Sequence, residues 1–156
     1  MKNWRFFLCI FVVIVLVFGC ESNTLPEKFE ISFAPAAKYE GPAQGTAIID
    51  TKTGTDVVLS ISGLESGKVY TAFFVNVKSQ MFQGIGQDPF VLPIDAAGNA
   101  EFTAKIPKDS YKRYKTLAIY LNPSGKPVAN PVGVKAKLGA FMKGDKAQMI
   151  IVAKLR

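Results

Sequence analysis

The chain has 156 residues, 49% of them hydrophobic, with 19 Lys and Arg against 12 Asp and Glu, no His, and a formal net charge of +7. This length suits one domain with a sizeable core, and the lack of imidazole excludes Ser-His-Asp and Cys-His catalysis and His-ligated copper or zinc centres. The basic excess favours anionic surfaces but names no partner.

At the N-terminus, Lys2 and Arg5 precede an apolar run of 13 residues at positions 6–18. As a helix at about 1.5 Å per residue it spans roughly 20 Å, short of the ~30 Å hydrocarbon layer of a bilayer. A positive flank and a short apolar run make the layout of an export signal. Val17, Phe18, Gly19 and Cys20 close the run, and the polar Glu21, Ser22, Asn23 and Thr24 follow at once. The segment resembles the signal peptide of bacterial lipoproteins, whose lipobox is an aliphatic residue, a small or apolar one, Gly or Ala, then Cys. Val17 matches the first position and Gly19 the third, while Phe18 is bulkier than usual at the second. The resemblance implies cleavage before Cys20, a diacylglycerol thioether on its sulfur and acylation of the new amino group, so that two or three chains hold the protein on a membrane. It also implies the bacterial cell envelope. Because Glu21 and not Asp follows the cysteine, it implies the outer membrane where the cell is Gram-negative. The other reading is a secretory peptide or uncleaved anchor with an incidental cysteine.

With residues 1–19 removed, 156 less 19 leaves 137 residues, and losing Lys2 and Arg5 leaves 17 basic against 12 acidic residues, a net charge of +5. Cys9 leaves too, so the mature chain keeps only Cys20 and is expected to hold its core by packing without a disulfide. Residues 20–44 are expected to hold the lipidated cysteine, a tether and a first edge strand at Phe29, Glu30, Ile31, Ser32 and Phe33, and residues 45–156 the folded domain.

Residues 45–50 read as a strand and Thr51, Lys52, Thr53 and Gly54 as its turn. Val57, Leu59 and Ile61 recur at period two in a half-buried strand over 56–62, followed by a turn at 63–67 with Leu64 folded back as a plug. Residues 68–77 form the longest predicted strand, with Val69, Thr71, Phe73, Val75 and Val77 on one face and Tyr70, Ala72 and Phe74 on the other. Apolar character on both faces makes it central. A loop is expected over 78–89, then a hairpin pairing 90–94 with 100–106 around Asp95, Ala96, Ala97, Gly98 and Asn99, with Phe102, Ala104 and Ile106 inward. Leu117, Ile119 and Leu121 point a strand over 116–121 into the core, and Asn122, Pro123, Ser124 and Gly125 give a strong turn. Strands near 132–138 and 148–155, joined through Lys143, Gly144, Asp145 and Lys146, complete the domain.

Eight or nine short strands between Gly, Pro, Asn and Asp turns, without a helical period, predict an all-β chain folded as a single immunoglobulin-like sandwich of antiparallel strands. Ile61-Ser62-Gly63-Leu64, Gly67-Lys68-Val69-Tyr70, the turn at 95–99 and Leu117-Ala118-Ile119-Tyr120-Leu121-Asn122-Pro123-Ser124-Gly125 together resemble the extracytoplasmic domain of anti-sigma-K-type regulators. Neither the cytoplasmic sigma-binding domain nor the membrane span of that family is expected from this sequence, so the resemblance implies the fold and not the function. The Gly-Leu turn before a long strand is also similar to the copper/zinc superoxide dismutase sandwich, but without His the metal chemistry does not follow.

In the mature chain Met81, Met142 and Met149 are thioether candidates for Cu(I), and scattered Met is ordinarily core filler. Asp88, Asp95, Glu101 and Asp109 sit near turns or outward faces, and Asp95 with Asn99 reads as a turn cap and not a calcium loop. No phosphate-cradling Gly-rich loop is present. No catalytic, cofactor or metal site is predicted, and no nucleic-acid partner is expected.

Two surface candidates remain. Lys105, Lys108, Lys112, Arg113 and Lys115, interleaved with Tyr111 and Tyr114, suit either a polyanion or phosphate-headgroup site or a solvated basic loop. Met81, Phe82, Ile85 and Phe90 suit either a partner-contact patch or a plug at one end of the sandwich. The expected function is therefore a lipid-anchored, non-catalytic envelope protein that binds another envelope protein as adaptor or accessory subunit. The alternative is a small-ligand or polyanion-binding module using the basic loop at 105–115.

Overall fold

The structure, a computed structural model, describes residues 27–52, 55–79, 81–127 and 147–155. Among them are nine strands: β1 (Lys28–Ser32), β2 (Ala34–Pro35), β3 (Gln44–Asp50), β4 (Thr55–Ser62), β5 (Val69–Asn76), β6 (Met81–Gly84), β7 (Ala100–Ile106), β8 (Thr116–Asn122) and β9 (Gln148–Lys154), with one 3-10 turn at Ser110–Arg113. Every pairing is antiparallel, giving a four-stranded sheet, β1-β3-β4-β7, and a five-stranded sheet, β2-β9-β8-β5-β6. The two sheets pack as an all-β sandwich. The orders β3-β4-β7 and β9-β8-β5 match the A-B-E and G-F-C orders of immunoglobulin-like folds.

Side-chain alternation explains most of the strands. Val57, Leu59 and Ile61 of β4 all face the interior, where they meet Ala47 and Ile49 of β3, Tyr70, Ala72 and Phe74 of β5, and Leu117 and Ile119 of β8 in one buried cluster. Leu64 is a buried plug, as its place in the turn predicts, and its N–H donates to the Gly98 carbonyl at 3.0 Å. Gly98 has φ +81°, and a Cβ there would meet the Leu64 carbonyl, so only glycine suits this junction. Phe102, expected inward with Ala104 and Ile106, is only half-buried. In β9 the register shifts beside Ile119 and Tyr120, a bulge that leaves both Ile150 and Ile151 fully buried.

The hairpin expected between 90–94 and 100–106 does not form. Ala72 N–H donates to the Phe90 carbonyl and Leu92 N–H to the Tyr70 carbonyl, at 3.4 and 2.9 Å, so residues 90–92 run beside β5, with Val91 making a single bridge to Thr71. β7 pairs with β4 in the opposite sheet. Pro89 and Pro93 have no N–H to offer a ladder, and the chain crosses between sheets after Leu92. The turn at 95–99 survives as the end of that crossing. The stretch 78–89, expected as loop, contains β6, which sets Phe82 opposite Val75 and Gly84 opposite Phe73. The strand expected over 132–138, the connection through Lys143 to Lys146, and residues 1–26 with Cys20 lie outside the described residues.

The alternation in β4 makes a direct prediction. Leu59 has no exposed surface, and Leu59→Ala should lower unfolding free energy by about 3 kcal/mol in urea titration. Ser60→Ala, one residue along and turned to the other face, should cost under about 0.5 kcal/mol.

Candidate functional site

The basic segment at 105–115 is built on the single 3-10 turn at Ser110–Arg113. That helix has about three residues per turn, so side chains three apart lie over one another. Tyr111, inside the turn, and Tyr114, the extended C-cap residue just beyond it, both turn inward: they are 2% and 4% exposed. Tyr111 tilts against Phe29, ring centres 6.0 Å apart, and Tyr114 stacks on Phe74 at 5.9 Å, with its hydroxyl donating to the Phe82 carbonyl at 3.5 Å. Burial raises the Tyr114 pKa above its ordinary value.

Lys105, Lys108, Lys112, Arg113 and Lys115 stay on the surface. Lys112 Nζ lies 2.8 Å from Asp109 Oδ1, and Lys105 Nζ 3.6 Å from Asp56 Oδ1. The hydrogen bond from Lys112 holds the Asp109 carboxyl below the usual range and raises Lys112 in return. The expected surface of tyrosines packed beside cations is thus corrected: the charges are outside, and the aromatic rings belong to the core.

The apolar loop group is corrected in the same way. Phe82 and Phe90 are 2% and 6% exposed, and Ile85 is fully buried. Phe73 gathers Phe82, Phe90 and Tyr120 edge-on, with ring centres 6.3, 5.9 and 6.0 Å away. Of the two readings this segment allows, the plug over the sandwich is the one that fits, and Phe82 and Phe90 are not surface contacts.

Two surface depressions are lined wholly by described residues. The smaller, about 320 Å³, is lined by Pro93, Ile94, Asp95, Asn99 and Glu101. Its carboxylate is already engaged, since Asp95 Oδ1 accepts from the Ala97 and Asn99 backbone at 2.9 and 2.8 Å, and Oδ2 accepts from Asn99 Nδ2 at 3.2 Å. These bonds, Asn99 foremost, lower the Asp95 pKa below 3.8, and they make the residue a turn cap. Among the described residues no three Cys, Asp or Glu side chains converge as metal ligands.

The larger depression, about 450 Å³, is an open groove lined by Gly86, Gln87, Val91, Phe102, Thr103, Ala104 and Lys105. One wall is β7, the terminal strand of the four-stranded sheet, whose far edge has no strand partner among the described residues. The other wall is the loop after β6, where Gly86 has φ +98° and lies so close to the Phe102 ring that a Cβ would collide with it. Val91, 37% exposed, is one of two large hydrophobic residues exposed among those described. A strand edge without a strand partner, beside a wall that mixes Gln87 with Val91, can accept an extended main chain by hydrogen bonding. The sequence does not announce this groove, because its walls are brought together only by the crossing between sheets. The sequence signal nearest to it is Val91 set between Pro89 and Pro93, which cannot offer an N–H to a ladder.

Among the described residues no helix is long and apolar enough to cross a membrane. No protein-family model, curated protein or solved structure matches the chain.

Two predictions follow from the loop and the turn. Tyr114→Ala should destabilise by about 3 kcal/mol or more, and Tyr114→Phe by under about 1 kcal/mol because its hydrogen bond is at the distance limit, whereas Lys112→Ala/Arg113→Ala should leave the melting temperature in place. For Asp95 the folded pKa is the lower one, so its stabilisation is complete above about pH 4 and disappears as pH falls through the folded value. Asp95→Ala should accordingly melt earlier than the parent at neutral pH, with the gap closing at strongly acid pH.

Proposed function

We propose that the protein is a lipid-anchored, non-catalytic binding module of the bacterial envelope, held on a membrane through Cys20 and engaging another envelope protein as adaptor or accessory subunit. The observation that carries this reading is the position of Val17, Phe18, Gly19 and Cys20 at the end of a 13-residue apolar run, with polar residues immediately behind. A thioether-linked diacylglycerol with a further acyl chain gives stable membrane attachment, where one chain gives only a marginal one. Glu21 in place of Asp favours the outer membrane in a Gram-negative cell.

A binding role is supported by the groove beside β7, where a strand edge with no strand partner among the described residues lies next to the exposed Val91 and suits an extended segment of a partner. The competing polyanion reading loses the aromatic half of its site, because Tyr111 and Tyr114 are buried. It would have to rest on the surface cations alone, which is weak ground for specificity.

The anchor is tested in cells supplied with a labelled fatty acid. Cys20→Ser should abolish incorporation and shift the protein from the membrane to the soluble fraction or leave it as precursor, and label retained by Cys20→Ser would refute the anchor. Partner engagement is tested by cross-linking in membranes. Val91→Glu should lose any stoichiometric partner that the parent captures, while leaving Cys20 labelling unchanged.

A further inference from the structure

The outermost strands of the two sheets are β1, β7, β2 and β6, with five, seven, two and four residues, so β7 is the longest of these edges. Edge strands are ordinarily guarded by shortness, proline, a bulge or a charge on the inward face. β7 uses none of these devices. It contains no proline, its register against β4 is unbroken over seven residue pairs, and its inward positions are Ala100, Phe102, Ala104 and Ile106. Glu101, Thr103 and Lys105 alternate with them and are exposed, the Lys105 side chain at 84%. The outer edge has no strand partner among the described residues and borders the open groove. Within its own sheet Glu101 lies opposite Ser60, which gives it no cation across the ladder. Lys105 lies opposite Asp56, with Nζ 3.6 Å from Oδ1.

We infer that β7 pairs antiparallel with β7 of a second copy of this chain, about a two-fold axis through Thr103, joining the two four-stranded sheets into one. This pairing rests on the reading of the β7 groove as an edge that accepts an extended segment, and it names the occupant. It does not depend on Cys20. A two-fold contact needs a patch complementary to itself. β7 supplies one, because its single acid and single base stand symmetrically about its central residue, Thr103. In this register Glu101 of each copy faces Lys105 of the other, and opposed side chains in an antiparallel pair have Cβ atoms about 4.5–5.5 Å apart. Both outward pairs then unite opposite charges, and each Lys105 sits between Asp56 on one side and the second copy's Glu101 on the other. The inward face matches in size, with the half-buried Phe102 opposite the small Ala104. Neighbouring registers lose this fit. An axis at Phe102 sets Lys105 opposite Asn99 and Glu101 opposite Thr103, and an axis at Ala104 sets Glu101 opposite Pro107.

The test uses the full-length chain, extracted in mild detergent and oxidised with copper phenanthroline, with the parent, which keeps Cys9 and Cys20, as the baseline. Thr103→Cys should give a disulfide-linked dimer, because residues opposed at the axis have Cα atoms about 4.5–5.5 Å apart, within disulfide reach. Glu101→Cys should link at least about tenfold less, since the two copies of that position stand four residues apart along the strands, about 13 Å. Charge reversal is the second readout. In the Thr103→Cys background, Glu101→Lys or Lys105→Glu alone opposes like charges and should cut the linked fraction at least about fivefold at low salt. The two together exchange partners and should restore it. Linking at position 103 no greater than in the parent, equal linking at 101 and 103, or a double reversal no better than the single ones would each overturn the inference. If linking at 103 fails while Val91→Glu still releases a different stoichiometric partner, the second copy is the wrong occupant and the groove remains a binding edge.

Discussion

Phe73 and Phe74 are neighbours on β5 and point to opposite sides of the five-stranded sheet, yet both are fully buried. The same holds on β8, where Leu117, Ala118, Ile119 and Tyr120 are all closed to solvent. Two adjacent strands apolar on both faces fix the rest of the architecture, because neither face can be left to water without exposing aromatic rings that each bury on the order of 150–250 Å². One face takes the four-stranded sheet. The other takes the second cluster around Phe73, with Phe82 and Phe90 turned inward to build it. That requirement decides the fate of the aromatic loop residues, which are consumed by packing and leave Val77 and Val91 as the large hydrophobic residues exposed among those described.

Function is thereby confined to what the packing does not use. The four-stranded sheet has β7 at its edge, and the crossing at residues 93–94 places the loop after β6 beside it, making the groove. The cations at 105–115 ring a 3-10 turn whose interior side is tyrosine. Under the proposed membrane tether, a basic rim with a solvated face would attract anionic headgroups within about a Debye length.

Much of the fold was legible in the sequence because the information is local. Val57, Leu59 and Ile61 alternate at period two and face inward, and Tyr70, Ala72 and Phe74 share the inner face while the two-sided character of β5 marks it as central. The misread stretch was 78–94. Phe90, Val91 and Leu92 have strand-like side chains, but the flanking prolines deny them a ladder, and β6 is only four residues long, too short to show its own period. The tyrosines were misread for a related reason. Tyr111 and Tyr114 interleave with charge in a way that suggests a surface, whereas a 3-10 turn ending at Arg113 leaves Tyr111 and its C-cap residue Tyr114 both turned to the core. The groove joins residues 86–91 with 102–105 only through the pairing of β7 with β4 and not with 90–94, a non-local choice that no window of sequence contains.

The account rests on β5 and β8 as the innermost strands of the molecule, and amide hydrogen exchange on the full-length protein measures that directly. The amides of Ala72, Phe73, Phe74, Ala118 and Ile119 should be the slowest in the chain and should exchange only through global unfolding, with denaturant dependence equal to that of the whole transition. Exchange at these positions as fast as at the edge strands β1 and β2, or through local opening insensitive to denaturant, would contradict it.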